Sequence, residues 1–251
     1  MLLGEMTWQE VREVDRGVVV LIPTGSLEQH GPHLPLLTDT LLVTAVATEV
    51  ERRMPDDVLL TPTLWLGASG HHLAFDGTLS ASFETYGGAV TNVIESLIPH
   101  GFWRFFVLNG HGGNTEPNGV ALRGIKTRHP HLQLGHSGYF AFSADAARKV
   151  LEGPIKEIRH SCEAEVSLGM HLFPHLVRKD KLRDDGLAPN PSVTGMIHHF
   201  DEITEEGSLG FATLATPEKG RAIFEAAVAG VCANLATLRS GYVFESQVSG
   251  T

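Results

Sequence analysis

Cysteine is scarce in this chain: Cys162 and Cys232 are the only two among 251 residues, and they form no CxxC pair. This scarcity excludes a disulfide framework and a zinc site built from thiolates. Lys and Arg are outnumbered by Asp and Glu, 19 to 29, and they form no cluster, so binding to a nucleic-acid backbone is not expected.

Membrane and export signals are also missing. The first residues contain no basic region followed by an apolar core, and no run approaches the roughly 20 apolar residues that span a bilayer. We therefore expect a cytoplasmic protein that associates with no membrane. Hydrophobic residues make up 42% of the chain, enough for a well-buried core.

Apolar runs alternate with amphipathic segments along the whole length. This alternation favours a three-layer α/β/α sandwich with a mostly parallel central sheet covered by helices on both faces. No linker or shift in composition marks a boundary, so residues 1–251 are expected to form a single domain. The predicted strands are 18–22, 58–61, 102–108 and 132–136, and the predicted helices are 40–53, 84–100, 116–127, 162–174 and 217–238.

Three potential metal ligands follow the first predicted strand: Glu28, His30 and Asp39. Ligands of open α/β sheets bind at the carboxyl ends of the strands, where this loop begins. The spacing of Glu28 and His30 places both side chains on one side of an extended chain, and the two oxygens of Asp39 can bind different cations. In the alternative interpretation Glu28 is solvated, His30 lies in a turn and Asp39 caps a helix with Thr38.

A second polar segment follows the strand predicted at 102–108. His111 lies here between Gly110 and Gly112, and glycines allow backbone and ligands to approach closely. The segment lacks the Gly-Lys-Ser/Thr of a phosphate loop and the spacing of a dinucleotide fingerprint. A metal ligand at His111 is therefore favoured over a nucleotide site.

A third cluster comprises His160, Glu163 and Glu165, at the start of a predicted helix. Two acids in a first turn often complement the helix dipole, which explains Glu163 well. The dipole does not explain His160, which can serve as a proton shuttle. Either glutamate is a candidate to orient His160 or to complete a metal site.

Together these segments resemble the creatininase (creatinine amidohydrolase) family over roughly residues 5–240. The resemblance rests on residues 25–35 with Asp39, on residues 109–114, on residues 160–167, and on the loop around His72 with residues 77–80. It implies a three-layer α/β/α fold, two divalent metal ions and hydrolysis of a non-peptide or unusual C–N bond. It also implies a homo-oligomer, commonly a hexamer.

The resemblance further implies roles by position. It makes Asp39 a carboxylate that bridges two ions and His160 the residue that transfers a proton. We expect Glu163 to act with His160, and His72, Gly112 and Gly113 to bind the substrate. The implied metal ligands are Glu28, His30, Asp39, His111 and Glu165. Two features differ from the creatinine-specific enzyme: Gly113 stands where that enzyme has a glutamate ligand, and all three tryptophans precede His111.

We therefore expect a metal-dependent amidohydrolase that acts on a small cyclic amide or formamide through metal-activated water. Oxygen and nitrogen ligands suit zinc, manganese or iron, and the sequence does not choose among them. Deformylation of a ribosylaminopyrimidine intermediate and cleavage of a short peptide are alternatives within the family. A non-catalytic metal- or ligand-binding α/β module is the alternative of another class.

Overall fold

A parallel four-stranded sheet lies at the centre of the structure, a computed structural model that describes residues 1–243. Its strands run in the order β2-β1-β3-β4, and the register pairs Leu21 of β1 with Leu60 of β2 and Phe106 of β3. The predicted α/β class is thereby confirmed. The strands are β1 (Val19–Thr24), β2 (Val58–Leu60), β3 (Arg104–Asn109) and β4 (Gln133–Gly138).

Helices cover both faces of this sheet. They are α1 (Trp8–Glu13), α2 (Thr38–Arg53), α3 (Phe83–Leu97), α4 (Thr115–Arg128), α5 (Tyr139–Phe142), α6 (Ala144–Val150), α7 (Glu163–Leu172), α8 (Phe200–Ile203) and α9 (Pro217–Ser240). Alternate side chains of β1 point to opposite faces: Val19 and Leu21 pack toward α2, α7 and α9, whereas Val20 and Ile22 pack toward α3 and α4. Burial on both faces explains the unbroken apolar run of β1.

Prolines account for two of the helix ends. Helix α3 ends at Leu97, earlier than predicted, and a 3₁₀ turn containing Pro99 follows it. Helix α7 ends at Leu172, two residues before Pro174, because proline cannot supply the amide that would continue the helix. At α9, Pro217 occupies the first turn and the Thr216 hydroxyl accepts the Lys219 amide, as expected of a capped start.

The start of α2 differs from the expected one. Thr38 and Asp39 do not cap this helix: both lie within its first turn, and Leu37 is the cap residue, with no side-chain hydrogen bond. The Asp39 carboxylate turns instead toward His30 and His111. The interpretation of Asp39 as only a helix cap is therefore wrong.

The segment after α7 is irregular, as expected. It contains α8 and a short antiparallel pair, β5 (Asp184–Asp185) with β6 (Gly210–Phe211). Helix α9 is long and apolar enough to cross a membrane by length and composition, unlike the expectation from the sequence. Its apolar side packs on α2 and α7, however, and a core helix meets the same criteria.

Candidate metal centre

The site lies at the carboxyl ends of β1 and β3, which are paired through Thr24 and Asn109. Asn109 shapes the loop that follows β3: its side-chain oxygen accepts the His111 amide at 3.1 Å, and its amide nitrogen donates to the His111 carbonyl at 2.6 Å. A Cβ on Gly110 would lie 2.8 Å from the Asp39 carbonyl oxygen. Glycine at this position therefore lets the first turn of α2 approach the loop and brings Asp39 beside His111.

Glu28, Asp39 and His111 form a first set of potential ligands, all three buried. The Nδ1 atom of His111 lies 3.1 Å from Oε1 of Glu28 and 3.0 Å from Oδ2 of Asp39. The other ring nitrogen, Nε2, lies 3.3 Å from the Ala68 carbonyl oxygen, which can only accept a hydrogen bond. Such a partner fixes the tautomer and leaves Nδ1 to face the carboxylates.

His30, Asp39 and Glu165 form a second set on the other side of Asp39. Nε2 of His30 lies 3.1 Å from Oδ1 of Asp39 and 3.8 Å from Oε2 of Glu165. Nδ1 of His30 donates to the Glu28 carbonyl at 3.2 Å, so Nε2 faces the site. The two carboxylate oxygens of Asp39 therefore face different histidines, the arrangement required of a bridging ligand.

A backbone turn holds Glu165 in place. Ser161 adopts a φ of 51°, rare for a residue other than glycine, and its amide donates to Oε2 of Glu165 at 2.5 Å. The Ser161 hydroxyl donates to the His30 carbonyl at 2.6 Å. This turn therefore ties the start of α7 to the loop that carries His30.

Two carboxylate oxygens of the buried cluster lack hydrogen-bond partners in the described part of the chain, and the charged groups around them shift one another's pKa values. Among residues 1–243, Oε1 of Glu28 and Oδ2 of Asp39 are buried and receive no hydrogen bond of acceptable geometry. Burial lowers the pKa of His30, but the Asp39, Glu165 and Glu28 carboxylates outweigh it and raise this pKa to about 9. Burial raises the pKa of Glu165 to about 8. Buried carboxylates without partners are costly, and divalent cations are the partners that this set of oxygen and nitrogen donors fits.

His160 and His72 lie beside the two ligand sets. Nδ1 of His160 is 3.6 Å from Oε1 of Glu28, and Nε2 of His72 is 3.2 Å from the same oxygen. The His160 ring lies 4.1 Å from the His30 ring and 4.5 Å from the His72 ring, measured between centroids. Burial, followed by the His30 charge, lowers the pKa of His160 well below its usual value, which favours a neutral imidazole.

Glu163 faces a different part of the protein. Its carboxylate accepts hydrogen bonds from the Glu152 and Gly153 amides at 2.9 Å and from the Lys219 ammonium at 2.7 Å. These contacts direct it toward α9 and fix the chain before His160. They favour a structural role over the catalytic role expected from the sequence.

Gly112 and Gly113 line the cavity beside the ligand sets, together with His72. A Cβ on Gly113 would lie 2.5 Å from the Ala68 carbonyl oxygen and 2.5 Å from Nε2 of His111. No side chain fits there without displacing one of them. A glutamate ligand at this position is therefore incompatible with the observed conformation of the loop. Glu165 instead supplies a second carboxylate beside His30, at 3.8 Å, in addition to that of Asp39.

The cavity has a volume of about 260 Å³ and contains residues that the sequence did not single out. Phe200 of α8 packs its ring 4.0 Å from the His72 ring and 4.6 Å from the His160 ring. Arg159 lines the same cavity and carries the one guanidinium among its lining residues in the described chain. Phe200 comes from the loop-rich segment, and Arg159 precedes His160, but neither stands in a pattern that marks a pocket.

Comparison with known proteins agrees with this geometry. The family model for creatininase (creatinine amidohydrolase) matches residues 4–235. The chain belongs to the creatininase family. It is therefore an enzyme of the metal-dependent amidohydrolase type.

Two characterised relatives have different substrates in their names. The mycofactocin precursor peptide peptidase of Mycobacterium tuberculosis H37Rv is 34% identical over 242 residues, which cover 90% of this chain and 87% of the relative. The creatinine amidohydrolase of Pseudomonas putida is 32% identical over 249 residues, covering 92% and 94%. Sequence similarity alone thus leaves the substrate of this creatininase-family enzyme open.

Solved creatininases share the fold. A crystal structure of creatinine amidohydrolase superposes with a TM-score of 0.81 at 30% identity, covering 94% of this chain and 96% of that one. The similar structures include a Zn–Zn form of a creatininase variant, with a TM-score of 0.80 at 30% identity, covering 93% of this chain and 96% of the other.

Proposed function

We propose that this enzyme hydrolyses a C–N bond in a small amide at a centre of two divalent ions that share Asp39. Glu28 and His111 complete the first set of ligands, and His30 and Glu165 complete the second. One observation carries the proposal: the two oxygens of Asp39 face different histidines, at 3.1 and 3.0 Å, within a buried cluster that contains unpartnered carboxylate oxygens.

Bound ions would lower the pKa of water and polarise the substrate carbonyl, the chemistry that such centres supply. His160 is placed to move protons, because its Nδ1 faces the cluster while its Nε2 is held by the Gln29 carbonyl at 2.8 Å. A proton taken up at Nδ1 can be delivered to the leaving nitrogen, a step that typically contributes about 10²–10⁴ in rate. Phe200 covers His72 and His160 and keeps bulk water from that side.

The proposed substrate is a small cyclic amide or formamide, because the cavity of about 260 Å³ is compact and ends at the ligand sets. Gly112, where a Cβ would have no atom of the described chain beyond its immediate neighbours within 4 Å, leaves its side of the cavity open to such a ring, next to Gly113. His72, directed at Glu28, lies where it contacts the substrate carbonyl.

A short peptide is the second candidate. Arg159 in the cavity wall favours it, because a guanidinium binds a carboxylate strongly and a peptide end carries one. The similarity to the mycobacterial peptidase supports the same substrate class. Deformylation of a ribosylaminopyrimidine has no comparable feature in its favour.

The experiment is a substrate panel run on protein with defined metal content. Metal is removed with chelator, zinc, manganese or iron is restored, and each form is given creatinine, a formamidopyrimidine and short peptides. Hydrolysis that vanishes on metal removal and returns on reloading supports the proposal. Metal removal that unfolds the protein, with no substrate cleaved by the loaded form, would favour a structural metal in a binding module.

We further propose a single domain, because no linker or shift in composition marks a boundary, and a cytoplasmic location, because cysteines are few. A homo-oligomer, a hexamer, is proposed on the basis of family resemblance. Light scattering coupled to size exclusion tests the assembly: a mass near 27.1 kDa would contradict it.

A further inference from the structure

Gln29 stands between two proposed ligands, and its amide orientation is fixed by its neighbours. This side chain is buried, with 5% of its surface exposed. Its oxygen accepts the Gly31 amide at 2.9 Å, and its nitrogen donates to the Gly207 carbonyl at 2.9 Å. A backbone amide can only donate and a carbonyl can only accept, so exchanging the oxygen and nitrogen would break both bonds.

The fixed amide determines the tautomer of His72. The nitrogen of the Gln29 amide lies 2.8 Å from Nδ1 of His72, so Nδ1 must accept and the ring proton must lie on Nε2. That Nε2 atom is 3.2 Å from Oε1 of Glu28. His72 therefore presents an N–H group to the first ligand set, and it has no lone pair to offer a metal there.

The backbone of the same residue determines the tautomer of His160. Nε2 of His160 lies 2.8 Å from the Gln29 carbonyl oxygen and 3.1 Å from the Gln29 side-chain nitrogen. The two hydrogens of that nitrogen are directed at the closer Gly207 carbonyl and His72 ring, so the carbonyl contact decides and Nε2 of His160 carries the proton. Nδ1 then presents a lone pair, 3.6 Å from Oε1 of Glu28. Gln29 thus holds two rings in opposite states beside one carboxylate oxygen: His72 presents an N–H group, and His160 presents a lone pair.

Gly207 completes the arrangement. It has a φ of 91°, and a Cβ there would lie 2.0 Å from the Gln29 side-chain oxygen. Glycine is required because it lets the carbonyl of residue 207 reach the amide nitrogen. The same segment carries Phe200, which packs on the His72 ring at 4.0 Å.

We propose that Gln29 is a positioning residue that sets the tautomers of His72 and His160. His72 then serves as a hydrogen-bond donor toward oxygen at the centre, and His160 serves as the proton acceptor. The consequence for turnover rests on the proposed function, whereas the protonation pattern can be measured in protein without metal or substrate.

The test is nitrogen NMR of the folded protein labelled with ¹⁵N-histidine, with the His72 signals assigned by their loss in His72→Gln. In the metal-free wild type we expect Nδ1 of His72 to be unprotonated and Nε2 to be protonated. In Gln29→Glu the side chain has no donor left, so Nδ1 of His72 becomes protonated. A protonated Nδ1 in the wild type, or an unprotonated one in Gln29→Glu, would overturn the proposal.

Two further variants keep the test decisive if the charged variant does not fold. Gln29→Met removes the amide, and Gly207→Ala displaces it, so both should lose the single fixed tautomer of His72. With the substrate found by the panel, Gln29→Met should keep both metal ions and lose kcat by about 10²-fold, the lower end of what acid–base catalysis contributes. Unchanged tautomers in both variants would overturn the proposal, while failure of every substrate would affect only the proposed function.

Discussion

Replacement of Asp39 by asparagine is the most informative single change at the centre. The side chain is buried, with 2% of its surface exposed, and each of its oxygens lies within 3.1 Å of a different histidine. Asparagine keeps the shape but removes the negative charge and turns one oxygen into an NH₂ group that cannot bind a cation. Both ions should therefore lose a ligand at once.

The expected loss of metal affinity can be estimated from substitutions that affect a ligand only indirectly. Loss of a residue that only orients a metal ligand typically costs 10–100-fold in affinity, so loss of the ligand itself should cost more than about 100-fold for each ion. Glu28→Gln is the matched control, because Glu28 belongs to the first of the two proposed ligand sets and not to the second, which consists of His30, Asp39 and Glu165. After dialysis we expect two ions per chain in the wild type, one in Glu28→Gln and none in Asp39→Asn.

Elemental analysis of the dialysed proteins by mass spectrometry is the assay, with circular dichroism to establish that each variant is folded. Hydrolysis should fall with the metal content. If folded Asp39→Asn kept two ions, the bridging role would be refuted. If it kept one, the second set would have to hold its ion without Asp39.

The other predictions concern neighbouring residues and pH. His160→Ala should keep both ions and lose about 10²–10⁴ in kcat, and loss of the metal instead would make His160 a ligand. Gly113→Ala should destabilise the protein by about 1–3 kcal/mol in urea unfolding, because its Cβ would lie 2.5 Å from a backbone carbonyl, and unchanged stability would refute this contact. Lys219→Met should cost about 3 kcal/mol in the same assay, since it leaves the buried Glu163 carboxylate without its ammonium partner, whereas Lys219→Arg should cost less. Metal affinity measured by calorimetry should fall as the pH falls below about 9, because His30, whose pKa is raised to about 9, holds a proton that the metal must displace; a pH-independent affinity would contradict this competition.

The order of helices and strands was predictable because each strand is a short apolar run followed by an amphipathic segment. The exact first and last residues of these helices and strands were less predictable. The run beginning at Val18 predicted β1 but not its extension to Thr24, since Pro23 and Thr24 pair with β3 only in the assembled sheet. At α2 the sequence predicted that Thr38 and Asp39 cap the helix. In the structure Asp39 lies within the first turn instead, with its carboxylate between two histidines.

The convergence of the ligand sets was predictable from topology, because loops that follow neighbouring parallel strands meet at one edge. Phe200 was not predictable, since it reaches the site from a short helix far along the chain, in a segment without periodicity. Gln29 was overlooked for another reason. An amide between two stronger ligands carries no pattern of its own, and its role emerges only from its contacts with His72 and Gly207.

Residue type alone could not predict which of the two glutamates of α7 faces the centre. Glu163 and Glu165 are two residues apart, and both stood as candidates. The structure separates them by their partners: Lys219 engages Glu163, whereas Glu165 faces His30. Only the packing of α7 against α9, a contact between distant parts of the chain, decides which acid faces the centre.

Anomalous X-ray diffraction at the absorption edge of the bound metal, from crystals of the purified enzyme, tests the central claim most directly. Two peaks are predicted on opposite sides of the Asp39 carboxylate, one next to Nδ1 of His111 and the other next to Nε2 of His30. A single ion that does not touch Asp39, or an enzyme fully active in crystals and solution with no peak at all, would contradict the account.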